Sequence, residues 1–550
     1  MRLSIFIVLA IFIVSCKNVN KETSVKDSVI VEDTIETTDN SFKDFREFKV
    51  LDSKYIDNKT LWNNLNKNLE GFTDEKYSAL KPLILEADIP TLQQHIQNGD
   101  LSYELLTKFY LYRIRKFDRD NDLSLNSVIS LNPDIITEAK QKDIDLRNRM
   151  LKHPIFGMPI LLKDNINTLE MPTTAGAVAL QNNRTEDAFI VTQLKNKGAL
   201  ILGKANLSEW AYFFCGDCPS GYSAIGGQTL NPYGRRAIDT GGSSSGSGVA
   251  VAANFCAAAV GSETAGSILS PASQNATVGL KPTIGLLSRS GIVPISSTLD
   301  TPGPITKNVT DNAILLDAMF GQDTDDDKSI YAIWEAGFYI NDLAENGLKG
   351  KRFGAVKPLL DDTLYVDAIK VLKQQGAEVL EIEAEEIDLP NFLRLLNLDM
   401  KRDLPKYLSK YAGDSVQVKY IEDVIAFNEK DSLFTMPYGQ KLFNGIKADE
   451  GTDDFLTKIK DTLHNNGKKY FDVPMDANQL DGFLSINNYH AAFAAVAEYP
   501  AITVPMGYME NGAPKGLTFI GRRLQEKFLL QWAFAFEQAS KKRVAPVNYK

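Results

Sequence analysis

The sequence predicts an α/β fold, in which one large domain has a mixed, mostly parallel central sheet covered by helices on both faces. Strand patterns alternate with helix patterns from residue 155 onwards, which favours a sheet buried between helices. The 550 residues are 44% hydrophobic and 24% charged, as in an ordinary globular protein with a large core. The net charge of −10 gives no reason to expect nucleic acid as a partner.

Two helical regions precede the alternating part of the chain. Residues 45–86 form a locally amphipathic stretch, and we expect an accessory helical segment that packs on the main body. Ser102 then stands before apolar residues at helical spacing, as the residue that caps a helix N-terminus would. The main domain is predicted to span residues 87–545.

The main domain begins with an apolar strand at residues 155–162, with Lys163 at its end. Residues 187–197 read as a helix and 199–202 as the next strand. Residues 247–260 are nearly all small, which predicts a helix packed tightly inside the domain.

Residues 322–480 are more helical and more charged than the rest. The acidic run 323–327 lacks the glycine and distal glutamate of a calcium loop and is interpreted as a solvated turn. Two strands, at 501–504 and 516–521, and a final helix at 527–539 complete the predicted domain.

The N-terminus has the pattern of an export signal. Arg2 is followed by an apolar run at residues 3–14 that is too short for a confident membrane span. Ser15 and Cys16 resemble a bacterial lipobox, which implies a signal peptide over residues 1–15 and lipidation of Cys16. Residues 16–44 would then tether an exported protein to a bacterial membrane, in the periplasm or at the cell surface. An ordinary secretory signal with an incidental cysteine is the alternative.

The other cysteines indicate no metal site. Cys215 and Cys218 could close a small disulfide in an oxidising compartment or remain as two free thiols. Zinc would need two more ligands, and none of the four histidines lies near them in the sequence. Cys256 is expected to be a small buried residue of the alanine-rich helix.

Two glycine- and serine-rich turns carry the chemistry. Residues 241–248 read GGSSSGSG, and residues 261–267 read GSETAGS. The first turn lacks the lysine of a phosphate-binding P-loop and breaks the dinucleotide-binding pattern. A serine hydroxyl becomes a nucleophile when a base takes its proton, and Lys163 can be that base if burial keeps it neutral. The turns therefore predict acyl transfer at a carbonyl.

Four ordered segments, GMPILLKDNINT, GGSSSGSGVAVAAN, VGSETAGSILSPAS and STLDTPGPIT, resemble the amidase signature family of serine hydrolases. The resemblance implies that Ser267 is the nucleophile, Ser243 a relay serine at a cis peptide bond, and Lys163 the base. Ser243 and Ser267 lie 24 residues apart, a spacing similar to that of the family.

The resemblance also implies an oxyanion hole and a supporting serine. The hole would be formed by the backbone N–H groups of Thr264, Ala265, Gly266 and Ser267. Ser244 would support the site by hydrogen bonding. No histidine, metal or cofactor enters this scheme, and the four histidines are interpreted as packing or surface residues.

Three departures from the family pattern indicate which subgroup of the family the chain resembles. Many members carry Asp, Gly and Arg where this chain has Glu263, Ala265 and Leu269. The loss of a charge at Leu269 argues against the glutamine-using component of tRNA amidotransferase, and the chain looks closer to bacterial peptide amidases.

The sequence thus predicts hydrolysis of linear carboxylic amides, including peptide C-terminal amides, to an acid and ammonia or an amine. The expected partner is a small-molecule or peptide amide, with membrane contact through Cys16. An esterase or acyltransferase on the same site and an inactive binding protein that retains the fold are the alternatives. Nothing in the sequence indicates the oligomeric state.

Overall fold

The structure is a computed structural model that describes residues 47–146, 152–331 and 337–550. The predicted signal peptide (1–15), lipidated Cys16 and tether (16–44) lie outside these described residues. Within the described ranges, no helix combines the length and apolar character needed to cross a membrane.

Eleven strands of the described ranges form one large sheet, in the order β1-β3-β2-β6-β8-β7-β12-β13-β11-β9-β10. A separate hairpin is formed by two short strands, β4 and β5. The strands are β1 (Val128–Leu131), β2 (Pro159–Lys163), β3 (Leu200–Ala205), β4 (Tyr222–Ser223), β5 (Gly227–Gln228), β6 (Ala258–Glu263), β7 (Val278–Lys281), β8 (Thr301–Thr306), β9 (Arg352–Val356), β10 (Glu378–Ile382), β11 (Gly482–Ile486), β12 (Ala501–Tyr508) and β13 (Pro514–Ile520).

The α/β fold class with a mixed sheet is confirmed. Parallel pairing occurs in two blocks, β3-β2-β6 and β11-β9-β10. The pairs that join these blocks, and the β1–β3 pair at the edge, are antiparallel. Antiparallel pairs are therefore more numerous than the sequence patterns indicate, and one of them, β12 with β13, is joined by a short hairpin in place of a crossover helix.

Helices pack against this sheet and extend beyond it. They are α1 (Asn58–Trp62), α2 (Asp74–Ile84), α3 (Ile89–Asn98), α4 (Tyr103–Phe117), α5 (Ile135–Leu146), α6 (Phe189–Asn196), α7 (Ser245–Ala252), α8 (Leu269–Gln274), α9 (Val309–Met319), α10 (Thr363–Gln374), α11 (Phe392–Lys410), α12 (Ile421–Glu429), α13 (Ser432–Thr435), α14 (Lys441–Ala448), α15 (Asp453–Asn478), α16 (Ala491–Val496) and α17 (Glu526–Ser540). The main hydrophobic core joins the sheet to helices that include α4, α9 and α17, and Trp62, Leu65 and Leu69 of the N-terminal segment are buried in it. The helices α11, α12, α14 and α15 bury apolar residues in a second cluster.

Most of the predicted elements occur where the sequence places them. Ser102 caps α4, since its side chain accepts a hydrogen bond from the Leu105 N–H at 3.1 Å. The strand ending at Lys163, the helix and strand that follow it, and the last two strands and helix are also present.

The predicted helix at residues 247–260 is wrong in its second half. The helix α7 ends at Ala252, and Asn254 adopts a left-handed conformation with φ +57°. The chain then enters β6 at Ala258, so Cys256 is fully buried between the two elements and not within a helix. A run of small residues has no hydrophobic periodicity that would distinguish a buried helix from a buried strand.

Two further expectations are resolved by the structure. Cys215 and Cys218 form a disulfide. The acidic run is less solvated than predicted, because Asp323 and Asp326 are buried. Asp326 pairs with Arg289, and the Ser288 hydroxyl donates to Asp323 at 2.5 Å. The described residues contain no group of acidic, histidine and cysteine side chains arranged to hold a metal ion.

Candidate active site

The predicted base and the second serine turn meet at one edge of the sheet. Lys163 is the last residue of β2, and β6 runs parallel to β2 in the register Leu162 to Val260. The carboxyl ends of parallel neighbours lie together, so Lys163 faces the end of β6 at Ser262 and Glu263. The turn that carries Ser267 begins there and leads into α8.

The amine of Lys163 is fully buried and surrounded by serine oxygens. Its Nζ lies 2.8 Å from the Ser243 Oγ, 2.9 Å from the Ser262 Oγ and 3.0 Å from the Ser262 carbonyl oxygen. The described residues place no acidic side chain within 4.0 Å of this amine. The arrangement therefore gives the lysine hydroxyl partners rather than an ion pair.

Burial lowers the pKa of Lys163 to about 7, although the charges of Asp300 and Glu263 act to raise it. Desolvation is the dominant cause because the ammonium form loses its hydration inside the protein. A lysine with this pKa is partly neutral near pH 7. Its amine can therefore take a proton from a hydroxyl group.

The first serine turn brings Ser243 and Ser244 against the turn that holds Ser267. Ser243 and Ser244 are fully buried, and the peptide bond between Gly242 and Ser243 is cis. The Ser244 N–H donates to the Ser267 carbonyl oxygen at 3.2 Å. The Ser244 Oγ donates to the Ser262 carbonyl oxygen at 3.0 Å. Ser244 thus joins the two turns, as expected of a supporting residue.

The predicted oxyanion donors differ in their surroundings. The Glu263 carboxylate accepts the N–H groups of Ile268 at 2.7 Å and Leu269 at 3.0 Å, and it is also stabilised by the N–H of Gly266. Among the hydrogen bonds of the described residues, none uses the N–H of Thr264, Ala265 or Ser267 as donor. Of the four predicted oxyanion donors, only the N–H of Gly266 is engaged within the protein.

A cavity of about 390 Å³ adjoins this site, and Asn165, Ser262, Thr264 and Asp300 line part of its wall. The Asn165 side chain donates to the Ser262 Oγ at 2.9 Å, and the Thr264 hydroxyl donates to Asp300 at 2.6 Å. Ser262 therefore lies between the cavity and the Lys163 amine, since it lines the cavity and its Oγ contacts Nζ.

The structure brings Lys163, Ser243 and Ser244 together beside the backbone of Ser267, and it adds three residues that sequence reasoning missed. These are Ser262, Asn165 and Asp300. Each lies inside a segment that carried the family resemblance, and Ser262 is next to Glu263, which was singled out. Their positions in the motifs were the available signal, but only the fold shows that Ser262 contacts Lys163 and that Asn165 contacts Ser262.

The histidines lie apart from this cluster of polar contacts. His490 lies two residues after Asn488, whose side chain would lie 3.0 Å from a Cβ built on Gly266. His490 contacts the Ser485 hydroxyl at 2.6 Å, and burial lowers its pKa to about 4. The imidazole is therefore neutral at pH 7, and it packs against the rings of Tyr470 and Phe483.

Comparison with known proteins identifies the family. The amidase family model matches residues 106–450, which is more than half of the chain. The chain belongs to the amidase signature family. A probable amidase from Arabidopsis thaliana is 38% identical to this chain over 483 residues, covering 84% of this chain and 92% of the plant protein.

A solved structure and a second relative show the range of the family. The native peptide amidase from Stenotrophomonas maltophilia matches this chain with a TM-score of 0.79 and 39% identity, covering 84% of this chain and 98% of that one. A glutamyl-tRNA(Gln) amidotransferase component from Thermoanaerobacter pseudethanolicus is 31% identical over 491 residues, covering 83% of this chain and 97% of that protein.

Proposed function

We propose that this amidase hydrolyses linear carboxylic amides through an acyl-enzyme on Ser267. The observation that carries the proposal is the position of the fully buried Lys163 amine, 2.8 Å from the Ser243 hydroxyl. Ser243 lies in the turn whose next residue, Ser244, donates its N–H to the Ser267 carbonyl oxygen. A neutral lysine, a buried relay hydroxyl and a partly exposed serine are the parts that acyl transfer requires without histidine.

In the first half of the reaction, the Ser267 oxygen attacks the amide carbon while its proton passes to Ser243. Ser243 in turn gives its own proton to the neutral amine of Lys163. The N–H groups of Ala265 and Ser267 stabilise the negative charge on the carbonyl oxygen. The relay then returns a proton to the leaving nitrogen as the carbon–nitrogen bond breaks.

In the second half, water attacks the ester formed on Ser267. The same relay removes the water proton and returns a proton to the Ser267 oxygen as the acid leaves. Lys163 is neutral at the start and end of each half and positively charged only in between. The site therefore catalyses both halves with one base.

Peptide amides are the substrates that we propose first, because the similar solved protein is a peptide amidase. The cavity beside the site, about 390 Å³ in volume, combines polar groups with an apolar wall and has room for a peptide end. Tyr407 and Ile295 contribute to its lining.

Amidotransferase components are also relatives, but the residue at 269 argues against that activity. Leu269 is fully buried and packs in an apolar cluster with Val356 and Phe483. An apolar side chain beside the nucleophile offers no cation for the carboxylate or carboxamide of glutamine. We therefore place this amidase with the hydrolases.

The test is product formation by the full chain and by its Ser267→Ala variant. A panel of a peptide C-terminal amide, a fatty acid amide, an anilide and a matched ester is assayed for ammonia, amine and acid. We expect ammonia from the peptide amide with wild type and none with Ser267→Ala. Release from no member of the panel would contradict the proposal, and faster transfer to added hydroxylamine than to water would favour an acyltransferase.

We also propose that the protein is exported and anchored by a lipid on Cys16. The support is the charged start, the short apolar run and the small residue before Cys16. The described chain begins at residue 47, beside α13 and α14, where the Lys49 N–H donates to the Tyr438 hydroxyl at 3.0 Å. The tether would join the folded body at that surface.

A further inference from the structure

Asp300 is a charged residue near the reaction that the mechanism above does not use. It immediately precedes β8, and its side chain lines the cavity. One carboxylate oxygen accepts the Thr264 hydroxyl at 2.6 Å, and the other accepts the N–H groups of Ile295 at 2.8 Å and Ser296 at 2.9 Å. Three hydrogen bonds therefore fix its position.

Asp300 differs from the other acidic residues of the cavity because it has no cation in contact. Within the described ranges, no ion pair of 4.0 Å or less involves Asp300. The other charged groups of the wall are paired: Arg289 with Asp326 and Asp327, Lys406 with Asp403, and Lys410 with Asp325. A buried carboxylate without a paired cation costs solvation free energy. We therefore ask what the negative charge of Asp300 contributes to the site.

Two carboxylates act on the amine of Lys163, and Asp300 has the larger effect. The other, Glu263, is held by the N–H groups of Ile268 and Leu269, and it acts on the buried amine of Lys281 as well. Burial raises the pKa of Asp300 to about 6, although its three hydrogen bonds and the charge of Arg289 act to lower it, so the carboxylate is mostly ionised at pH 7. Asp300 is thus a fixed carboxylate without a contacting cation, and its negative charge favours the positively charged form of Lys163.

We propose, on the basis of the proposed function, that Asp300 is a positioning residue for amide hydrolysis. It holds the Thr264 side of the nucleophile turn through the hydroxyl, and it stabilises the positive charge that forms on Lys163. The hydrogen bond from the Thr264 hydroxyl to Asp300 fixes the start of the turn that carries Ala265 and Ser267. The same carboxylate thus acts both on the oxyanion donors, through the turn, and on Lys163, through its charge.

The experiment measures the rate at which a fluorophosphonate labels Ser267, by mass spectrometry of the full chain, as a function of pH. The Ser267 oxygen forms a bond to phosphorus and fluoride leaves, so the readout reports nucleophile activation without a chosen amide. The variants are Asp300→Asn, which removes the charge, and Asp300→Glu, which keeps it.

In Asp300→Asn we expect the maximal labelling rate to fall about 10-fold and the midpoint of its rise to move to lower pH by about half a unit. The midpoint moves down because the amine loses an opposite charge that favours its protonated form. In Asp300→Glu we expect the wild-type midpoint. A residue that only maintained the fold would lower the rate without moving the midpoint.

An unmoved midpoint in Asp300→Asn, or the same shift in Asp300→Glu, would overturn the inference. If Asp300→Asn does not fold, Thr264→Val decides, because it removes only the hydroxyl that donates to Asp300. We expect a reduced labelling rate in Thr264→Val, and the wild-type rate would overturn the positioning role. A wild-type chain that is not labelled at Ser267 overturns the proposed function as well, whereas a labelled wild type with an unmoved midpoint overturns this inference alone.

Discussion

At the scale of single residues, two buried lysines on neighbouring strands show how surroundings decide a role. Lys163 ends β2 among serine oxygens, whereas Lys204 on β3 lies 3.1 Å from Asp164 in a fully buried ion pair. Burial lowers the pKa of both amines. Of the two, only Lys204 has a carboxylate in contact that compensates its charge. Lys204 is therefore suited to a structural role, and Lys163 to proton transfer.

This contrast predicts opposite effects for the same substitution at the two sites. Lys163→Met should lower kcat/KM by at least about 100-fold, because it removes the base, and change the free energy of unfolding by less than about 2 kcal/mol. Lys204→Met should cost about 3–5 kcal/mol, because it leaves the Asp164 carboxylate buried without its partner. Urea unfolding and amide hydrolysis, measured on both variants, check the pair. Near-normal kcat/KM in Lys163→Met would refute its role.

The pKa of Lys163 predicts the pH dependence of the reaction. Its folded pKa of about 7 lies below the usual value, and the neutral form is the active one. Activity should therefore be low below pH 7, rise as the amine loses its proton, and level off above. The measurement is kcat/KM between about pH 5 and pH 9 with a substrate that does not ionise in this range. A profile that is flat across pH 7 would show that Lys163 is not the titrating base.

At the scale of elements, the nucleophile turn depends on one glycine. Gly266 has φ +108°, and a Cβ there would lie 3.0 Å from the Asn488 Nδ2. Its carbonyl accepts the Ser270 N–H at 2.7 Å, which begins α8. The conformation of this residue therefore sets the direction in which Ser267 leaves the end of β6.

Gly266→Ala should distort this turn and lower kcat/KM by at least about 10-fold, with about 1–2 kcal/mol lost from the free energy of unfolding. Gly439→Ala is the matched control, since Gly439 also has a positive φ, +81°, but no atom within 4 Å of the added carbon. We expect the control to lose stability and keep its activity. Equal activity in the two variants would mean that the turn tolerates the change.

The elements also show what the sequence could and could not predict. The strand ending at Lys163 and the capped helix after Ser102 were predictable, because apolar period and capping chemistry are local signals. The boundary between α7 and β6 was not, since residues 247–260 are small throughout and carry no period. The contact of Ser262 with the base and the position of Asp300 near it depend on strand order, which local patterns do not reveal.

At the scale of the whole molecule, the fold class and the grouping of Lys163, Ser243 and Ser267 followed from ordered motifs. The arrangement of the sheet into two parallel blocks joined by antiparallel strands did not. Several of its connections carry no helical pattern, and pairing between distant strands is decided by the packing of the whole core. The location of the protein rests on residues 1–16 and stays a prediction.

Lipidation predicts a fractionation result. Cys16→Ser should move the protein from the membrane fraction to the soluble fraction, because the acyl attachment site is lost. Cys256→Ala is the control, since this buried thiol lies far from the N-terminus in sequence. Mass spectrometry of the mature N-terminus should show a lipid on residue 16. A mature chain that begins elsewhere, without lipid, would contradict the anchor.

The central claim is that Lys163 and Ser243 activate Ser267. Its most direct test is fluorophosphonate labelling of wild type, Ser243→Ala and Ser247→Ala, followed by mapping of the modified residue. Ser247 is the matched control, since its buried hydroxyl donates to the Val260 carbonyl oxygen at 3.1 Å, away from the amine. We predict an adduct on Ser267 in wild type and Ser247→Ala, and labelling at least about 100-fold slower in Ser243→Ala. An adduct on another serine, or equal rates in the three proteins, would contradict the account.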